Sequence, residues 1–336
     1  MMDIQKKRDL LMSLPLMEQE QRWIMERLDT LSVKEQYQLS AAILRTGKLE
    51  ELAGKPVLGV VPMLEVDVDD EDSLSARLSK SGKVGLVDVA VIRLPRLSNF
   101  TDFNPLERME EVSLRYVGSV GELGHPDLII LPGTKNTMDD LRWLRQSGLE
   151  GAILKHAAKG GAVIGICGGY QMMGQEVLDP EHVEGDIERL PGLGLLPIST
   201  RMSGEKVTRQ VKFGLCSPHS PSSTLHSSLM QGYEIHMGVT TPVEGTPDSP
   251  LNLLENGSTD GYCVDSTCMG TYIHGILDNP EFIDFLLAPF ADKLSGNAGA
   301  FDYHTFKEEQ YDRLAEHVRR HVNLPLIYQI LTKNHD

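Results

Sequence analysis

Several features are scarce in this chain, and each scarcity excludes something. Its 336 residues hold only four cysteines and two tryptophans. So few cysteines do not make a disulfide framework, and a reducing, cytoplasmic setting fits them better. None of Cys167, Cys216, Cys263 and Cys268 stands in CxxC spacing, so no metal site is expected. Basic residues are outnumbered, with 32 Lys and Arg against 48 Asp and Glu and a formal net charge of −16. Such a surface repels phosphate backbones, which argues against nucleic acid as a partner. No apolar run approaches the roughly 20 residues that span a bilayer, so no membrane partner is expected. Met1 to Arg8 are not followed by a clean apolar core and a small-residue cleavage site, and no signal peptide is read there. What remains is ordinary globular material, 40% hydrophobic and 24% charged.

The pattern along the chain divides it in three. Residues 1–50 read as a helical segment, with apolar residues at three- and four-residue steps from Leu16 to Leu28 and from Leu31 to Leu44. Ser32 caps the second helix in this reading, with Glu35 as its capping-box partner. Gly54-Lys55-Pro56 ends the segment. Residues 57–291 have a different texture. Val57–Pro62, Val84–Leu94, Asp127–Pro132 and Ala162–Ile166 read as buried strands. Glu65 to Asp72 read as a solvated acidic loop. Helical patterns cover Met138–Leu144 and Leu149–Ala158. Continuous apolar strands alternating with helices predict an α/β fold, a doubly wound and mostly parallel sheet covered on both faces. Beyond residue 190 come shorter strand candidates at Gly192–Pro197, Val207–Phe213, Gln231–Met237, Gly261–Val264 and Met269–Ile273, read as antiparallel additions. Ser217–Ser223 reads as a flexible loop. Residues 292–336 read as a helical extension, with its main helix over Phe306–Val322 after a helix at Pro280–Leu287.

The chemistry concentrates at Val163-Ile164-Gly165-Ile166-Cys167-Gly168-Gly169-Tyr170-Gln171. An apolar strand ends in a cysteine flanked by glycines, and a helical pattern follows at once. This is the layout of a nucleophile elbow, which lifts a reactive side chain above the sheet edge. A helix N-terminus and a nearby histidine both favour the thiolate that such a nucleophile needs. The Gly168 N–H is placed to face a developing oxyanion. His274, in Gly270-Thr271-Tyr272-Ile273-His274-Gly275, is the candidate general base and later acid. His236, in Gly232-Tyr233-Glu234-Ile235-His236-Met237-Gly238, is a second candidate that the sequence does not rank. Leu131-Pro132-Gly133-Thr134-Lys135-Asn136-Thr137 follows a strand, where ligands bind in doubly wound folds. Gly133 is thus a candidate for a second oxyanion N–H.

These motifs, in this order, resemble the glutamine amidotransferase domain of the cobyric acid synthase family. Arg93-Leu94-Pro95-Arg96-Leu97-Ser98-Asn99-Phe100-Thr101-Asp102-Phe103 is similar to a segment typical of that subgroup. The resemblance covers roughly residues 57–291. It implies the class I amidotransferase fold, a flavodoxin-like three-layer sandwich, and glutamine hydrolysis. Cys167 would attack the carboxamide, His274 would act as base and then acid, and Gly168 and Gly133 would form the oxyanion hole. Gln171, Tyr233 and His236 would bind glutamine. No cofactor is implied for this chain; ATP and magnesium would belong to a separate P-loop synthetase partner. Through that partner the ammonia would reach a corrinoid acceptor in cobalamin biosynthesis.

Two departures qualify the implication. Many class I amidotransferases place a glutamate two residues after the histidine, and here that residue is Ile276. A Cys–His dyad is therefore expected, with a backbone carbonyl or Asp278 to orient the ring. The family's synthetase half also begins with a phosphate-binding loop, and no GxxxxGK[ST] occurs in this chain. Residues 1–50 stand where that half would be. Two other readings stay open: the amidotransferase subunit of a two-chain ligase amidating a cell-wall precursor, and a non-catalytic remnant serving as an interaction module.

Overall fold

The computed structural model of the protein describes residues 54–68, 85–216, 229–294 and 302–333. The predicted helices between Leu16 and Leu44, the Ser32 cap, the second half of the acidic loop and Ser217–Ser223 lie outside the described residues. The chain divides into two compact units, residues 69–304 and residues 1–68 with 305–336.

The larger unit begins with β1 (Val87–Ile92), followed by the short helix α1 (Asn104–Arg108), β2 (Val112–Val117) and α2 (Val120–Leu123). Then come β3 (Leu128–Leu131), α3 (Thr137–Gln146), α4 (Leu149–Ala157), β4 (Ala162–Ile166) and α5 (Gly168–Met173). Every residue of β3 and β4 is buried, as expected of strands covered on both faces. The Asn136 side chain starts α3 by accepting the Asp139 N–H at 2.7 Å. The sequence pattern missed β2, whose Ser113 and Arg115 break the apolar run. It lies at the edge of the sheet, where Arg115 reaches Asp88 of β1 at 2.8 Å.

The remaining strands are β5 (Glu176–Leu178), β6 (Arg189–Pro191), β7 (Ile198–Leu215), β8 (Met230–Pro242), β9 (Asn252–Leu254), β10 (Thr259–Asp260), β11 (Tyr262–Asp265), β12 (Cys268–Thr271) and β13 (Ile273–His274). The first sheet runs β11-β12-β4-β3-β1-β2, parallel apart from β11. A second sheet is built around the long antiparallel pair β7–β8, with β13 against β8. The predicted strand at Gly192–Pro197 does not form. Leu193 N–H and Leu196 N–H bond instead to the Met172 and Met173 carbonyls, at 2.8 and 2.9 Å. The segment thus satisfies carbonyls at the C-terminal end of α5. The unit continues into α6 (Pro280–Leu287).

Two further helices follow, α7 (Tyr303–His321) and α8 (Leu324–Lys333). Within the smaller unit, Val57–Pro62 is extended but forms no strand. Among the described residues its one ladder contact is a bridge between Gly59 and Val322. Its carbonyls go elsewhere: Leu58 O accepts Asn323 N–H at 2.6 Å, and Pro62 O lies 2.9 Å from His317 Nε2. Among the described residues no helix is long and apolar enough to cross a membrane.

Candidate active site

The site grows from the junction of β4 and α5. Cys167 occupies it with φ 53° and ψ −112°, a backbone conformation that non-glycine residues rarely adopt. The turn is held on both sides. Cys167 N–H donates to Thr271 O at 2.8 Å, and Cys167 O accepts Gln171 N–H at 3.1 Å. Gly169 has no room for a side chain, because a Cβ there would stand 2.0 Å from Leu131 O. The elbow therefore seats the first turn of α5 directly against β3. Gly168 heads α5, where backbone N–H groups have no intrahelical acceptor.

Strand β12 lies beside β4 in the first sheet, and β13 pairs with β8 in the second. The crossing between them delivers His274. Buried Asp260 braces it. Its Oδ1 accepts Tyr272 N–H at 3.0 Å, and its Oδ2 accepts from Asn252 Nδ2 at 2.9 Å and from the Thr271 hydroxyl. Burial raises the Asp260 pKa, while the Thr271, Asn252 and Tyr272 donors oppose that rise.

His274 is 1% exposed and fixed on three sides. Its Nδ1 donates to Asp102 Oδ2 at 2.6 Å, while Asp102 Oδ1 accepts Gly275 N–H at 2.9 Å. The Tyr233 ring stacks on the imidazole, with centroids 5.3 Å apart and an interplanar angle of 22°. Gly133 approaches so closely that a Cβ there would stand 3.0 Å from His274 Cε1. The remaining ring nitrogen, Nε2, is buried with no hydrogen-bond partner. Burial works against a charge on this ring, but Asp102 outweighs it. The Cys167 side chain adds to the effect, and His274 is pushed up to about 10.

Asp102 answers what orients the histidine. The expected dyad has a third member, a buried carboxylate from the loop after β1. Neither a backbone carbonyl nor Asp278 takes the Nδ1 hydrogen bond. The loop is tied to the one after β3: Ser98 N–H donates to Gly133 O at 2.9 Å, Lys135 N–H donates to Arg96 O at 3.0 Å, and Arg96 pairs with Asp140 at 3.1 Å. Asn99, with φ 54°, donates from Nδ2 to the Tyr233 hydroxyl at 2.7 Å. In the sequence Asp102 stands out only as part of the segment Arg93 to Phe103. The missing acid at Ile276 was the signal that an acid had to come from elsewhere.

A cavity of about 370 Å³ opens beside Cys167, lined also by Gly168, Gln171, Glu184, His236 and Met237. Gln171 borders it, but its amide is engaged within the protein. Its Oε1 accepts the Thr137 hydroxyl at 2.7 Å, and its Nε2 donates to Met237 O at 2.9 Å and to the Tyr272 hydroxyl at 3.1 Å. That tyrosine also meets the Thr240 hydroxyl at 2.6 Å, and Thr240 meets Thr200 at 2.7 Å. His236 stacks on Tyr272 with centroids 3.7 Å apart, and burial lowers its pKa. Among the described residues no carboxylate bonds to its ring, so it lacks what Asp102 gives His274. Tyr233 stands against the His274 ring rather than on the cavity wall. Chemically, the ensemble brings together a thiol on a strained turn, an imidazole held by a buried carboxylate, and backbone N–H groups at a helix start.

Fold and site together define a class I glutamine amidotransferase domain. Residues 88–282 match the CobB/CobQ-like glutamine amidotransferase domain, and the chain belongs to that family. A relative from Bacteroides fragilis, named cobyric acid synthase, is 58% identical over 289 residues, covering 85% of this chain and 56% of that protein. Another of that name, from Phocaeicola vulgatus, is 52% identical over 288 residues, with the same coverage of 85% and 56%. The chain spans about half the length of the curated relatives it matches. A solved structure titled as that of a glutamine amidotransferase covers 60% of this chain and 97% of its own, at 17% identity and a TM-score of 0.46.

Proposed function

We propose that this chain hydrolyses glutamine through a cysteine thioester and supplies the ammonia to an ATP-dependent amidation of corrinoid carboxylates. The observation that carries the first half is the buried Cys167–His274–Asp102 arrangement. The Cys167 sulfur, as thiolate, attacks the side-chain carbonyl carbon of glutamine, and the carbonyl π electrons move onto oxygen. The Gly168 and Gly133 N–H groups receive that oxyanion. As the intermediate collapses, the C–N bond breaks and His274 gives its proton to the nitrogen, which leaves as ammonia. The neutral imidazole then takes a proton from water as water attacks the thioester. Collapse of that second intermediate releases glutamate and restores the thiolate with a protonated His274. Asp102 keeps Nδ1 as the donor toward itself, so that Nε2 handles every proton.

The second half rests on the relatives named cobyric acid synthase and on their greater length. In this reading a synthetase activity, with its ATP and magnesium, activates the carboxylate for attack by ammonia. Glutamate release from glutamine by the full chain, with and without a separately expressed corrinoid synthetase domain, tests both halves. Slow release alone, faster release with the domain, and loss of both in Cys167→Ala are expected. Undiminished release by Cys167→Ala would overturn the nucleophile assignment. Native activity that never responds to the corrinoid synthetase domain would overturn the acceptor assignment.

A further inference from the structure

The smaller unit holds a strand-like segment without a sheet. From Val60 to Val68 exposure alternates residue by residue, the even-numbered positions half-buried and the odd-numbered ones exposed. A period of two belongs to a strand with one covered face. One edge of the segment is anchored. Leu58 O accepts Asn323 N–H at 2.6 Å, and Pro62 O lies 2.9 Å from His317 Nε2. Further on, Glu65 O accepts from Arg313 Nη2 at 3.2 Å, and Asp67 N–H donates to Gln310 Oε1 at 3.3 Å. The other edge is open. Extended backbone turns successive N–H and C=O groups to opposite sides, so Gly59, Val61 and Met63 face away from the side that Leu58 and Pro62 give to the helices. Among the described residues the N–H and C=O groups of these three make no hydrogen bond. Their side chains are also uncovered, with Val61 45% and Met63 99% exposed. Of the eleven large hydrophobic residues exposed among the described residues, six lie in this smaller unit; the other four are Tyr311, Tyr328, Ile330 and Leu331. An open, apolar edge of this kind is a template for another strand.

The likeness to the Bacteroides fragilis relative runs over 289 residues, well beyond residues 88–282, yet covers only 56% of that protein. The smaller unit therefore lies outside the amidotransferase domain in sequence, on both sides of it. We propose that Val57–Val68 is an edge strand for the β-sheet of a synthetase domain, the part of those relatives that this chain does not span, and that the sheet pairs with it along Gly59, Val61 and Met63. Main-chain hydrogen bonds supply the affinity of such strand addition, and the exposed Val61 and Met63 side chains supply its selectivity. A second copy of the chain is a poorer occupant. Self-pairing brings together two segments that each expose Glu65 and Asp67, on chains of net charge −16. This deepens the synthetase half of the proposed function and rests on it.

The test mixes the full chain with the separately expressed remainder of the Bacteroides fragilis relative, and reads hydrogen–deuterium exchange and Kd. In the chain alone the amides of Gly59, Val61 and Met63 are expected to exchange freely, and in the complex to become protected. Val61→Pro removes one N–H donor from the open edge, and Met63→Lys places a charge beside it. Each is expected to weaken the complex about 10- to 100-fold while leaving the thermal unfolding of the chain alone unchanged. A complex in which these three amides still exchange freely overturns the assignment, and so does native affinity in both variants. Protection that grows with the concentration of the chain alone also overturns it, because the edge then pairs with a second copy. If the native chain forms no complex while its glutamine hydrolysis persists, the synthetase half of the proposed function falls, and the edge-strand assignment falls with it.

Discussion

Asp102 and His274 stand 172 residues apart in sequence and 2.6 Å apart in space, both buried. The contact ties the loop after the first strand to the last strand of the second sheet. In Asp102→Asn the shape survives, but the side chain no longer balances an imidazolium and can present its amide nitrogen to Nδ1. We expect kcat for glutamine hydrolysis to fall by about 10²- to 10⁴-fold, the range of general acid–base contributions. KM should move little, because Asp102 does not line the cavity. Asp278→Asn should stay close to the native rate. Steady-state glutamate release checks both, and a fall confined to Asp278→Asn would reassign the orienting acid.

The raised pKa of His274 sets a pH dependence with a definite sign. Its folded value, about 10, lies above its ordinary value of 6.5. The charged ring therefore stabilises the fold fully below about pH 6.5, and that contribution is lost as pH climbs through about 10. Turnover should decline over the same upper limb, because the neutral ring cannot protonate the leaving nitrogen. Removing Asp102 leaves burial, which lowers the pKa, less opposed. In Asp102→Asn the alkaline limb should shift toward neutrality. Urea unfolding and kcat measured from pH 6 to 10.5 provide the check; a limb that stays put would show that another group sets it.

Part of this design was legible in the chain and part was not. The apolar runs before Pro132 and Cys167 announced β3 and β4, since a strand covered on both faces has no polar side to alternate with. Cys167, His274 and the flanking glycines announced themselves by local spacing. Asp102 did not, because its role depends on a tertiary contact and its neighbours carry no catalytic pattern. Val57–Pro62 misled for the opposite reason: its composition suits a strand, but its carbonyls bond to helix-end and side-chain donors. Glu184 carries no local signal either, because it sits in a loop whose geometry is fixed by Asp179.

Two glycines of the site should respond differently to the same added methyl. At Gly169 a Cβ would stand 2.0 Å from Leu131 O, a backbone atom that cannot step aside. Gly169→Ala should destabilise by about 1–3 kcal/mol or more through overpacking between α5 and β3. At Gly133 a Cβ would stand 3.0 Å from His274 Cε1, so the ring must give by a few tenths of an ångström. Gly133→Ala should keep most of its stability and lose kcat, because both the imidazole and a proposed oxyanion donor shift. Thermal unfolding with steady-state kinetics on both variants separates the effects; matching profiles would contradict the different roles assigned to them.

Gln171 provides the sharpest contrast between a wall and a binding group. Its amide connects Thr137, Met237 and Tyr272, and it is 2% exposed. Replacement by alanine strips the Thr137 hydroxyl of its acceptor, and the Met237 carbonyl and Tyr272 hydroxyl of a donor. Leaving buried polar groups unsatisfied costs about 1–3 kcal/mol. Gln171→Glu keeps the volume but removes the two N–H donors, so the Met237 carbonyl then faces a carboxylate oxygen. Both variants should lower the urea midpoint, Gln171→Glu least at acid pH, where the carboxyl is protonated and again supplies a donor. A Gln171→Ala chain with native stability and a raised KM would instead show that the amide turns toward glutamine when the pocket fills.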